Sequence, residues 1–156
     1  MANLTVTVSE SVTLNGAVRG NTNELTITGI ESVFERIVSI PGGLDTTVVL
    51  TKNTVASSDG AIDIQNTKYI RITNLDSTND VTLSLQIDND NNDSVADHSC
   101  SILLEAGKTF MMGTPHEAVR VSDGSAAVLA SLRDLESLLI DSGGNTVKVE
   151  IFAAGS

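Results

Sequence analysis

The sequence predicts an all-β fold, an antiparallel β-sandwich of jelly-roll-like type. Three observations carry that expectation. The first is strict alternation: Val81, Leu83, Leu85 and Ile87 interleave with Thr82, Ser84 and Gln86, so one row of side chains seeks a core and the other seeks water. The second is recurrence, because similar short runs return along the chain with Gly, Asn, Asp or Pro between them, which is the spacing of sandwiches and barrels. The third is supply. Among 156 residues the aliphatics are mostly β-branched, aromatics make up only 3% and Trp is absent, so Val, Ile and Leu must build the core, with Phe34, Tyr69, Phe110 and Phe152 as its few large pieces. A single domain spanning 1–156 is expected, a length that buries a real core without disulfides.

Taken in order, strands are expected at 3–9, 11–15, 24–29, 33–40, 46–52, 60–65, 68–74, 80–88, 98–104, 108–112, 117–122 and 146–153. Leu4, Val6 and Val8 set the phase of the first, Ile70 and Ile72 flank Arg71 in the seventh, and Val147, Val149 and Ile151 flank Lys148 and Glu150 in the last. Asn15-Gly16, Gly42-Gly43, Asp59-Gly60, Asp123-Gly124 and Gly143-Gly144 mark reversals, while Pro41 and Pro115 fall between runs. One stretch breaks the pattern. Val128, Leu132, Leu135 and Leu139 recur at helical spacing, which predicts a short helix near 126–133 followed by a strand near 135–141.

Composition narrows the function classes. A formal net charge of −11 repels phosphate backbones and anionic lipid, and the nine Lys and Arg do not cluster, so neither nucleic acid nor membrane is an expected partner. The single cysteine allows no internal disulfide and no cysteine-rich zinc site; Cys100 shares the phase of Ile102 and Leu104 and reads as a small buried hydrophobe. Met1 leads straight into a strand pattern without a basic or long apolar leader, so synthesis and folding in a cytoplasm are expected.

Motifs for chemistry are few. The acidic run 88–97 places Asp88, Asp90 and Asn92 like the first ligands of a calcium loop, but Asp93 stands where glycine is needed and Ser99 where a bidentate Glu is needed. The alternative is a solvated hairpin loop, and calcium is the one cofactor candidate. His98 and His116 have no His or Cys at ligand spacing and read as surface residues. The tripeptide Asp97-His98-Ser99 holds the residue types of a hydrolase triad, but triads are assembled from distant segments. Glycosidase clefts want aromatic rings that this chain lacks, no nucleotide-cradling glycine motif precedes a helix, and no catalytic residue is expected. Apolar residues in both phases raise a different question. Phe110, Met111 and Met112 in one run, and Val48, Val49 and Leu50 in another, require either a strand covered on both faces or contact with another protein. Together with Leu4, Val6 and Val8, the methionine run is the candidate interface; the N-terminal run 2–15 either clasps a neighbour by completing its sheet or pairs within its own sandwich.

A family resemblance gives these features a setting. The runs Tyr69-Ile70-Arg71-Ile72-Thr73-Asn74-Leu75-Asp76, Val81-Thr82-Leu83-Ser84-Leu85 and Ile102-Leu103-Leu104-Glu105-Ala106-Gly107-Lys108-Thr109-Phe110 resemble small β-sandwich virion proteins of tailed, marine-type bacteriophages, as do Leu4–Asn15 and Val147–Phe152. The resemblance implies a non-enzymatic structural protein of the virion, a capsid decoration or cement subunit first and a tail- or fibre-associated subunit second. It implies phage capsid or tail proteins as partners and a homo-oligomer, with a trimer favoured. From a different class, a calcium- or carbohydrate-binding sandwich module built on loop 88–97 is the alternative reading.

Overall fold

A computed structural model describes residues 1–52, 61–88, 96–122, 124 and 127–156. Nine strands form two facing sheets. The larger contains β6 (Thr46–Lys52), β7 (Ile62–Asp63), β9 (Val81–Asp88), β10 (His98–Leu104) and β12 (Asp134–Asp141), in the order β10-β9-β12-β6-β7. The smaller contains β5 (Ser32–Ile40), β8 (Thr67–Asn74), β11 (Thr109–Met112) and β13 (Val147–Gly155), in the order β11-β8-β13-β5. All ladders are antiparallel except the short β6–β7 pair. The expected all-β sandwich is the fold of this chain.

Alternation is what makes the sandwich. Leu83, Leu85, Leu104, Leu135, Leu138 and Ile140 from the larger sheet meet Ile70, Ile72, Val147, Val149 and Ile151 from the smaller one in one buried cluster. A buried aliphatic side chain of this size contributes about 1.5–3 kcal/mol relative to exposure, so these rows dominate the stability. Val48 and Val49, consecutive and both buried, are reconciled by a bulge: the β6–β12 register shifts between Leu138 and Leu139, leaving Val48 as the extra residue. No second protein is needed to cover that run.

One polar side chain belongs to the same interior. Asn74 occupies a core-phase position at the end of β8, is fully buried, and donates through Nδ2 to the carbonyls of Asn79 (2.9 Å) and Leu104 (3.2 Å) while its Oδ1 accepts the Asp76 N–H (3.0 Å). It thus ties the smaller sheet to β10 of the larger one and shapes the turn into β9. Every hydrogen-bonding need of its amide has a partner of ordinary length, which is what makes its burial tolerable.

Two further turns are closed by carboxylates. Asp63 accepts the N–H groups of Gln65 (2.9 Å) and Asn66 (3.0 Å), and Asp76 accepts those of Thr78 (2.9 Å) and Asn79 (2.8 Å). Partial burial opposes the charge on Asp63, but hydrogen bonds from Asn66 and Gln65 and the nearby Lys68 outweigh it and hold the carboxyl below its ordinary value; the Thr78 and Asn79 amides do the same for Asp76. A lowered native value means stabilisation complete above the unfolded value of 3.8 and lost as pH falls through the native one. The pair Asp63→Asn and Asp76→Asn is therefore expected to flatten the fall of melting temperature with acidification below about pH 5, measured by calorimetry against the parent protein.

Four expectations need correction. Residues 127–133 are bends and irregular chain rather than part of a helix near 126–133: Val128 is 99% exposed, Leu135 is buried as part of β12 instead, and a helix this short does not persist on propensity alone. Instead Arg133 forms an isolated bridge with Val119, which is also all that the strand expected at 117–122 amounts to. Of the strand expected at 60–65, only Ile62–Asp63 is extended among the described residues, because the Asp63 turn takes the chain away. Cys100 has the inward phase expected of it but is exposed. It sits on β10, an edge strand, facing an open apolar recess of about 360 Å³ that Leu85, Ile87, Val119 and Leu132 line without filling. An inward phase buries a side chain only where the opposite sheet extends far enough to meet it.

Candidate interaction surface

The first thirty residues lie outside both sheets. β1 (Ala2–Ser9) and β4 (Thr22–Ile30) pair with each other in a two-stranded ribbon, and β2 (Val12–Leu14) and β3 (Ala17–Arg19) form its tip around the Asn15-Gly16 turn. Both turn residues have positive φ, 51° and 79°, the conformation in which a two-residue loop matches the twist of its strands. The expected strand 11–15 is thus shorter, and a strand at 17–19 follows it that alternation over three residues was too brief to signal. The terminal strand pairs with β4 of its own chain, but outside the sandwich, in which the expected alternative to a clasp would have placed it.

Cross-strand register sorts the ribbon into two unlike faces. Leu4 lies opposite Ile27 and Val6 opposite Leu25, so those four and Val8 share one side. Asn3, Thr5, Thr7 and Ser9, opposite Thr28, Thr26, Glu24 and Thr22, make the other side wholly polar. An isolated ribbon with one apolar side is marginal in water and needs something to lie on.

Part of what it lies on is the outward face of the smaller sheet. Tyr69 and Ala154 are paired in that sheet and point away from the core, yet only 8% and 2% of their surfaces are exposed. Over Tyr69 the cover is the ribbon, whose Leu4, Thr5, Val6 and Thr7 border one cleft with Tyr69, Arg71, Met111 and Phe152. Residue Gly29 sets this course. It is the unpaired extra residue where the β1–β4 register shifts between Ala2 and Asn3, with a φ of 79° that a side chain would strain. Such a bulge bends the ribbon as it leaves the sandwich.

The floor of the cleft is aromatic and charged. Tyr69 and Phe152 meet edge to face with centroids 6.2 Å apart, and the Arg71 guanidinium lies 5.9 Å from the Phe152 ring while pairing with Glu150 at 2.6 Å. Burial raises the Tyr69 phenol above its ordinary value, with the Arg71 charge opposing the shift. The cleft is not closed. It retains about 310 Å³, Met111 on its wall is 44% exposed, and Leu25 on the apolar side of the ribbon is 56% exposed. Val33 and Ile37 are also exposed, on the outward side of β5 at the opposite edge of the sheet.

The interface residues expected from sequence divide accordingly. Leu4, Val6 and Val8 are half-buried on the ribbon, Met111 faces outward at the cleft, and Phe110 and Met112 turn inward against the core. The reading missed Leu25, Ile27 and Tyr69, although Leu25 and Ile27 alternate with Glu24 and Thr26 much as the residues of β1 do.

Other candidates remain apart from this surface. Asp88 is buried at the end of β9 opposite Asp134, while Asp90 and Asn92 lie outside the described residues, as do Asn89 and 91–95. Among the described residues no three His, Cys, Asp or Glu side chains converge as a metal-binding group. His98 lies 2.9 Å from Asp97, but Ser99 follows it along an extended strand and so points to the opposite side; His116 lies 2.8 Å from Asp134 near the start of β12.

No family model matches the chain, and no curated protein matches it. Among solved structures, a chain from Bacillus endospore appendages, described as a novel family of disulfide-linked pili, is similar over 83% of this chain and 93% of its own, with 10% identity and a TM-score of 0.38.

Proposed function

We propose that this chain is a non-enzymatic structural subunit of a tailed-phage particle, a capsid decoration subunit that attaches to the shell as a homo-oligomer. The single observation that carries the reading is the N-terminal ribbon: thirty residues spent on a two-faced element outside the sandwich, with apolar residues left uncovered beside its seat. Exposed apolar side chains beside such a seat suit contact with other proteins. The sequence resemblance to small virion sandwiches supplies the setting, and the net charge of −11 suits an outer surface away from packaged DNA. Binding in this reading is additive. Each subunit makes modest contacts, and oligomerisation multiplies them into high avidity.

The test is re-addition. Purified protein is mixed with particles that lack it and the mixture is sedimented and imaged. Saturable binding at regularly repeated shell positions is the expected result. Density confined to the tail would replace the decoration reading with the tail-associated one, and no binding to any part of the particle would overturn both.

A further inference from the structure

We propose that the N-terminal ribbon is exchanged between copies, each ribbon lying in the cleft of a second copy of this chain. The inference rests on the assembling role proposed above and names the partner of the same surface. Three features of the molecule lead to it.

The ribbon is joined to the body by chain rather than by sheet. It forms a sheet of its own, and only Glu31 separates β4 from β5. The Glu31 N–H donates to the Gly155 carbonyl at 2.9 Å, which anchors the chain at the exit point. Pivoting the ribbon about Gly29 to Glu31 breaks no ladder between it and the sandwich, so exchange costs little beyond the apolar contact it re-forms elsewhere.

The chemistry of fit is already on the molecule. Leu4 and Val6 border the same cleft as Tyr69, Met111 and Phe152, and a second copy offers the identical floor to an identical ribbon. An exchanged pair therefore makes the same kinds of contact as two separate chains.

The intrachain fit is loose. The ribbon leaves a solvent-open cleft of about 310 Å³ beside it, and Leu25 on its apolar side and Met111 on the cleft wall are 56% and 44% exposed. One residue of connection fixes the height and direction at which a chain's own ribbon can approach. A ribbon arriving from another copy is free of that tether and can settle against Tyr69 and Phe152. It also brings its Leu25 toward Met111, which the intrachain arrangement leaves partly uncovered.

The test uses the full chain with Cys100→Ser, so that new cysteines are the only thiols. Val6→Cys and Met111→Cys variants, distinguished by mass tags, are mixed at high concentration, treated with a short bismaleimide and separated under denaturing conditions. Exchange predicts a mixed Val6→Cys/Met111→Cys dimer well in excess of either homodimer, and multimers from the variant carrying both cysteines. A doubly substituted variant that gives only internally crosslinked monomer at every concentration, together with no mixed dimer, would overturn the proposal. Circular dichroism matched to the parent protein establishes that the variants are folded. Particle binding measured on the same samples separates the two readings: binding with intrachain crosslinks alone removes exchange and leaves the attachment role intact.

Discussion

A chain lacking residues 2–30 is expected to retain its sandwich and to lose particle binding, with an apparent affinity lower by about 100-fold or more if the ribbon supplies the multivalent contact. The reason is a separation of roles. None of the residues in the main buried cluster that joins the two sheets comes from the ribbon, so its removal leaves that interior intact. What it uncovers is the outward floor of the cleft, above all Tyr69. Tyr69 is the sole tyrosine and there is no Trp, so intrinsic emission and phenol ionisation report on this one place. Burial holds the native phenol above its ordinary value of 10.0, so in the truncated chain it should ionise at lower pH, closer to that value. The sign is fixed: a raised native value stabilises the fold while the phenol is protonated, and that contribution disappears as pH rises through it. A truncated, folded protein that binds particles as well as the parent would remove the ribbon from the attachment mechanism.

Asn74→Ala is expected to destabilise the fold by about 1–3 kcal/mol, the cost of leaving buried polar groups without partners. Three bonds go at once, those to the Asn79 and Leu104 carbonyls and from the Asp76 N–H. The residue is fully buried, so water does not readily replace them. For a domain of about this length each kcal/mol lowers the melting temperature by about 2–4 °C. Asn74→Asp separates the roles of the two amide atoms, since it keeps an acceptor for Asp76 but loses the donor and places a carboxylate among carbonyl oxygens. It should be less stable than the alanine variant at neutral pH and recover on acidification. Equal stability of all three proteins in denaturant unfolding would show that the bonds carry no net weight.

How much of this was legible in the sequence depended on the reach of each signal. In β8, β9 and β13 the alternation runs for about eight residues and coincides with burial on a common interior, so strands and core could be read directly. Over 127–133 the helical spacing was present in the sequence, but Val128 is exposed and the chain there is bends and irregular. Cys100 was assigned the correct phase and the wrong exposure, because phase is local and coverage depends on the opposing sheet. The ribbon fell between these cases. Leu4, Val6 and Val8 announced a strand with one apolar side, but that β1 would pair with β4, 20 residues on, and lie over Tyr69 is a matter of topology that no window of sequence contains. Gly29 carries that topology. As a single glycine within an alternating run it is a weak mark of a bulge, and only the pairing register reveals it.

The near-continuity of β4 into β5 has a mechanical consequence. Beyond Glu31 the strand is zipped to β13 along its whole length, from Ser32 opposite Gly155 to Ile40 opposite Val147. Tension applied through the ribbon along the axis of β5 would load these rungs together in shear rather than peel them one after another. The element best placed to grip a neighbour is thus continuous with one of the longest ladders in the molecule, and a pulling force reaches the sandwich where it is braced to bear it.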